Sequence, residues 1–200
     1  MIFTRRAIVF AGLNFAPNIV LAHTPIKGMN HFVNGFLHPV FVPAHLISLL
    51  AIGLLLGQQG PNRNRTALAI YPALTLIGII TTEFQPGIWV ETALLIGAMS
   101  MGLLIAMSLR LSTYWCTLAA AFTGLAIGLD SSQDSLTGMA KLTTLAGSGI
   151  GIVLMPVLAM EVADYFRKKT WQQVGIRILG SWIAASAFLV LTLTFSSEKL

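Results

Sequence analysis

The sequence predicts an all-α membrane protein, a six-transmembrane-helix bundle preceded by a signal peptide, from three observations. Of the 200 residues, 56% are hydrophobic and only 10% are charged, whereas a soluble domain carries about 25% charged residues. Mean hydropathy is +0.80. The apolar residues also fall into runs close to the length that crosses hydrocarbon, separated by short turn-like stretches. A helix satisfies its backbone hydrogen bonds internally, which makes it the natural way for such runs to span a bilayer. The length allows one or two domains. Short connections favour a single transmembrane domain at 23–200 behind a leader at 1–22.

In chain order, the leader comes first. MIFTRR is a short basic segment, and AIVFAGLNFAPNIVLA is apolar but interrupted by Asn14, Pro17 and Asn18 before it ends at Ala22. This is the pattern of a bacterial secretory signal peptide cleaved after Ala22; an uncleaved first helix is the alternative. Cleavage there makes His23 the new N-terminus, presenting an imidazole and a free amine. Six hydrophobic segments follow at 35–57, 66–82, 88–109, 113–130, 142–163 and 174–195. The loops after the first, third and fifth hold Arg63, Arg65, Arg110, Arg167, Lys168 and Lys169, with Arg177 close by, and the opposite side holds Lys27, Lys141 and Lys199. Lysine and arginine in short loops mark the cytoplasmic side. The chain is therefore expected in a bacterial inner membrane with both ends of the mature protein periplasmic. Its basic residues read as topology signals among lipid-facing spans, not as a nucleic-acid surface.

The stretch with the most chemistry is GFLHPVFVPAHLISLLAIGLLLGQ, Gly35 to Gln58. A polar group in hydrocarbon is costly and marks a functional candidate. All four histidines of the chain, His23, His31, His38 and His45, lie close together around this stretch. The acidic residues Glu83, Glu91, Asp130 and Asp134 fall at the same expected outer side. Imidazoles and carboxylates at one mouth suit a divalent transition metal. On a straight helix, however, His38 and His45 are about 10.5 Å apart in rise, while two nitrogens on one metal lie within about 4 Å of each other. Pro39 and Pro43 kink or break the helix between them. Either the bend brings the pair together or the two are successive stations on a path inward.

Other features read more plainly. Met99, Met101 and Met107 are core fillers before they are soft copper ligands. Gly124 with Gly128, and Gly147, Gly149 and Gly151, let helices approach closely, a packing role that names no partner; separately, the chain is compatible with a homo-oligomer. Cys116, near the cytoplasmic start of the fourth segment, reads as an inert small hydrophobe. Enzyme signatures are missing: there is no zinc-protease His-Glu-x-x-His, no Gly-x-Ser-x-Gly and no P-loop, so no enzymatic activity is expected.

The segment LAHTP with GFLHPVFVPAH resembles the first transmembrane motif of the HupE/UreJ family of hydrogenase and urease accessory membrane proteins, a pattern of the form H-P-x-x-x-x-D-H behind a signal peptide ending just before a histidine. His38, Pro39 and His45 match, and Ala44 stands in place of the aspartate. FTGLAIGLD resembles the family's F-H-G-x-A-H-G-x-E. Phe122, Gly124, Ala126 and Gly128 match, Thr123 and Ile127 replace the histidines, and Asp130 replaces the glutamate. The resemblance implies uptake of nickel, or in some members cobalt, for metalloenzyme maturation machinery; copper is a further candidate cargo on ligand chemistry alone. By the same resemblance His38 and His45 are the metal residues and Asp130 a further one. His23, His31 and Glu91 join them as outer-side candidates. The alternative is a non-transporting membrane accessory or assembly subunit whose histidines are structural.

Overall fold

The computed structural model describes residues 28–82, 88–133 and 136–197. The leader, His23, Glu83 and Asp134 lie outside the described residues. The helices are α1 (His31–Phe41), α2 (Pro43–Gln59), α3 (Arg65–Ile80), α4 (Ile88–Ala106), α5 (Thr113–Leu129), α6 (Gly138–Phe166) and α7 (Thr170–Ser197), with a 3-10 turn at Pro61–Asn64 between α2 and α3. Among the described residues there is no strand.

Three helices are long and apolar enough to cross a membrane, at Trp89–Ala106, Gly138–Phe166 and Thr170–Ser196, and α1 with α2 forms a fourth such unit bent by 75°. The expected set of six similar spans is thus uneven. With 16 residues in α3 and 17 in α5, these two reach only about 24–26 Å against a hydrocarbon core of about 30 Å. Conversely, α6 and α7 extend beyond 142–163 and 174–195. Hydropathy falls just outside those bounds, at Lys141, Asp164 and Gln173, but helical hydrogen bonding continues through such polar ends.

The bend has a local cause. A residue before proline is pushed out of the helical region, and Val42 is extended at φ −91°, ψ 109°. Pro43 is then at the start of α2, where its missing N–H costs nothing. At the other end of α1, the Asn30 side chain accepts from the Val33 N–H at 2.8 Å and caps the helix.

α2 is the central element. It packs against α4, α5, α6 and α7, and from Leu49 to Gly57 only Leu50 is exposed. A helix apolar all round is a buried one. Close approach elsewhere depends on missing side chains. A Cβ on Gly124 of α5 would lie 2.6 Å from the Tyr71 carbonyl oxygen of α3, so only glycine lets these short helices lie backbone to backbone. Interhelical hydrogen bonds add register: Tyr71 Oη donates to the Ile152 carbonyl at 2.9 Å and Ser148 Oγ to the Gly35 carbonyl at 3.1 Å. Such bonds are worth about 0.6 kcal/mol each in membrane bundles. Large apolar side chains including Ile80, Trp89, Trp182 and Leu193 face outward, the surface a lipid-embedded bundle presents.

Candidate metal-handling site

Because α1 stops at Phe41 and α2 restarts at Pro43, His38 and His45 stand on either side of a bend. Their rings meet edge to face, centroids 5.7 Å apart and planes at 79°. The bend, not a straight face, brings them together, which decides the alternative left open by the sequence in favour of proximity. Both are interior: His45 is fully buried and His38 is 7% exposed.

The third member comes from far along the chain. Nε2 of His45 is 2.8 Å from Oδ2 of Asp130, the residue that ends α5. An acid at a helix C-terminus faces the negative end of the helix dipole, unfavourable by about 0.3–1 kcal/mol. A compensating donor is therefore needed, and the His45 imidazole supplies it. Asp130 is 21% exposed, so the pair runs from the interior to an opening. Opposite an ionised carboxylate, which can only accept, Nε2 is the donor, and in the neutral ring the lone pair then lies on Nδ1. That Nδ1 is buried and has no hydrogen-bond partner among the described residues. Nε2 of His38 is buried too.

The other described candidates sit on α1 and α4. His31 is the exposed first residue of α1, two turns before His38. Glu91 is half-buried in the first turn of α4, where a negative charge suits the helix dipole. Among the described residues no group of three His, Cys, Asp or Glu side chains is arranged to hold a metal ion. Thr123 and Ile127, where the resemblance leads one to expect histidines, are both fully buried, so their replacement removes imidazoles from the interior.

Two further polar atoms are buried elsewhere in the bundle, one at the Thr123 position singled out in the sequence and one at Gln133, which the sequence reading passed over. Thr123 Oγ1 and Gln133 Nε2 are buried without a hydrogen-bond partner among the described residues. Gln133 belongs to a DSSQDS stretch that looks like a solvated turn, and nothing in its pattern signals burial. Ser48, one turn after His45, donates to the Leu94 carbonyl at 3.3 Å and ties the site-bearing end of α2 to α4.

A sequence model of the family described as HupE / UreJ protein matches residues 11–190. No curated protein and no solved structure matches the chain.

Proposed function

Because the chain belongs to the HupE/UreJ family of nickel/cobalt accessory membrane proteins, we propose that it is an inner-membrane permease that takes up a divalent transition metal, nickel first and cobalt second, for metalloenzyme maturation. The observation that carries this reading is the His45–Asp130 hydrogen bond at 2.8 Å beside a partnerless, buried Nδ1. Histidines that bind metals almost always donate their other ring N–H to a carboxylate or carbonyl, which sets the tautomer and aims the free nitrogen. Asp130 therefore acts as a positioning residue and not as the direct ligand the family pattern implies. His45 Nδ1 and an imidazole nitrogen of His38 are the donors, and imidazole suits nickel among divalent ions. Two protein donors hold an ion loosely, as a cargo site requires. In this reading the exposed His31, with His23 if cleavage follows Ala22, serves as a collecting group at the outer mouth, and the chain crosses six times, counting α1–α2 as one and the shorter α3 and α5 as crossings, so that both ends lie outside.

Accumulation of radioactive nickel in cells tests the proposal. His45→Ala is expected to reduce it to the level of cells lacking the protein, and unchanged accumulation overturns the reading. A second reading, a non-transporting assembly subunit, is favoured by Thr123 and Ile127 at the family's histidine positions. Excess nickel in the medium separates the two: it restores maturation of the client enzyme in a deletion strain if the protein transports, and leaves it defective if the protein assembles.

A further inference from the structure

At the other end of α2, about 20 Å from His45 at 1.5 Å per residue, three separate turns converge. Gln58 and Gln59 end α2, Arg63 lies in the 3-10 turn, Ser108 and Arg110 lie between α4 and α5, and Arg167 follows α6. Together they line a cavity of about 300 Å³. Three other cavities among the described residues are lined mainly by apolar side chains; this one is polar.

The guanidinium groups here are more than a scatter of topology charges. Arg65, Lys168, Lys169 and Arg177 belong to the same end yet do not line the cavity. Lys168 lies over the Tyr165 ring, 5.5 Å from its centroid, and Arg177 Nε donates to the Ala106 carbonyl. By contrast, Arg63, Arg110 and Arg167 come from three loops to one concavity. Asp164 pairs with Arg167; neither Arg63 nor Arg110 forms an ion pair with a carboxylate among the described residues. The cavity thus carries a surplus of positive charge.

Its floor is built and held. Gln59 Nε2 donates to the Leu109 carbonyl at 2.6 Å and its Oε1 accepts from the Leu111 N–H at 3.2 Å. Gln58 Nε2 donates to the Ile105 carbonyl and to Ser108 Oγ. Its Oε1 is left buried with no partner among the described residues, an acceptor suited to a hydroxyl on the ligand. Ser108 is the only non-glycine at positive φ among the described residues, at 56°. A non-glycine in that region is held there by its surroundings.

We propose that this cavity binds a phosphate-bearing anion between Arg63, Arg110 and Arg167, with Gln58 Oε1 receiving a hydroxyl of the same molecule. Guanidinium forks match phosphate oxygens in geometry and charge. Such chemistry belongs equally to the headgroup of an anionic phospholipid and to a free phosphate ester. The site lies at the end of the bundle that the positive-inside rule assigns to the cytoplasm, where both are available. The inference stands apart from metal handling and does not depend on it.

The test uses the full chain, purified in zwitterionic detergent and in phosphatidylcholine nanodiscs. Sodium phosphate and sn-glycerol 3-phosphate are titrated against sodium chloride of equal ionic strength. In parallel, nanodiscs containing phosphatidylglycerol are compared with phosphatidylcholine alone, with native mass spectrometry and thermal unfolding as readouts. Saturable binding of the soluble phosphates identifies a free ester; retention of phosphatidylglycerol without it identifies a headgroup. In either case Arg63→Gln with Arg110→Gln is expected to weaken binding by at least about tenfold, since each removes a charge-assisted hydrogen bond. Arg65→Gln with Lys169→Gln removes the same charge from the same end and should leave binding unchanged. Arg110→Lys keeps the charge and the fold but lacks the fork, and should also weaken binding. Equal loss in both charge-matched pairs, or binding of neither phosphates nor phosphatidylglycerol, overturns the proposal.

Discussion

At the scale of the residue, His45 has two distinct nitrogens with distinct tasks. Nε2 is tied to Asp130 at 2.8 Å, and Nδ1 is the buried atom that remains. This separates the expected effects of two substitutions that a simple ligand list would treat alike. His45→Ala should abolish nickel binding to the purified protein, measured by calorimetry. Asp130→Asn keeps the shape but no longer demands an N–H from Nε2, and should weaken binding by about 10- to 100-fold, the usual effect of losing such a supporting group. If Asp130→Asn binds as tightly as the wild type, the carboxylate does not orient the ring. Histidine and aspartate were both visible as candidates in the sequence. Their bond was not, because it joins positions at the start of α2 and the end of α5, and no local spacing encodes such a contact.

At the scale of the element, the bent α1–α2 unit carries His38 and His45. Its angle originates in the extended Val42 before Pro43. Pro43→Ala removes the restriction on Val42, so the helix is expected to run on. The distance between spin labels at Asn30 and Gln59 should lengthen, and nickel affinity should fall together with it. Pro39→Ala, inside α1, should leave the inter-label distance unchanged. An unchanged distance in Pro43→Ala as well would place the origin of the bend in tertiary packing. The short helices α3 and α5 depend on another local feature. Gly124→Val adds atoms where a Cβ alone would already lie 2.6 Å from the Tyr71 carbonyl oxygen. Overpacking of this kind costs about 1–3 kcal/mol, seen as a lower melting temperature in detergent. Prolines and glycines were legible as bends and contacts in the chain, but which helix each contact serves was not.

At the scale of the whole molecule, the bundle has two chemically different ends. One holds His45 and Asp130; the other gathers the turns between α2 and α3, α4 and α5, and α6 and α7, whose residues line a common cavity. The loops grouped by charge in the sequence are therefore also grouped in space. Orientation in the membrane is testable in a Cys116→Ala background. In intact cells a membrane-impermeant thiol reagent should reach Thr137→Cys, at the His45–Asp130 end, and fail to reach Ser112→Cys at the basic end until the membrane is opened. The reverse pattern would invert the proposed topology and with it the direction of metal movement.

Composition and periodic hydropathy alone were enough to establish a helical membrane protein, and short motifs around His38 and Asp130 were enough to reach its family. Those properties are local or summed along the chain, so they survive without coordinates. The approach of the two imidazoles, the capture of Asp130 by His45 and the meeting of three arginines from three turns belong to the tertiary structure. Each depends on how helices distant in sequence lie against the buried α2, and that arrangement is set by packing between elements, which no stretch of sequence contains by itself.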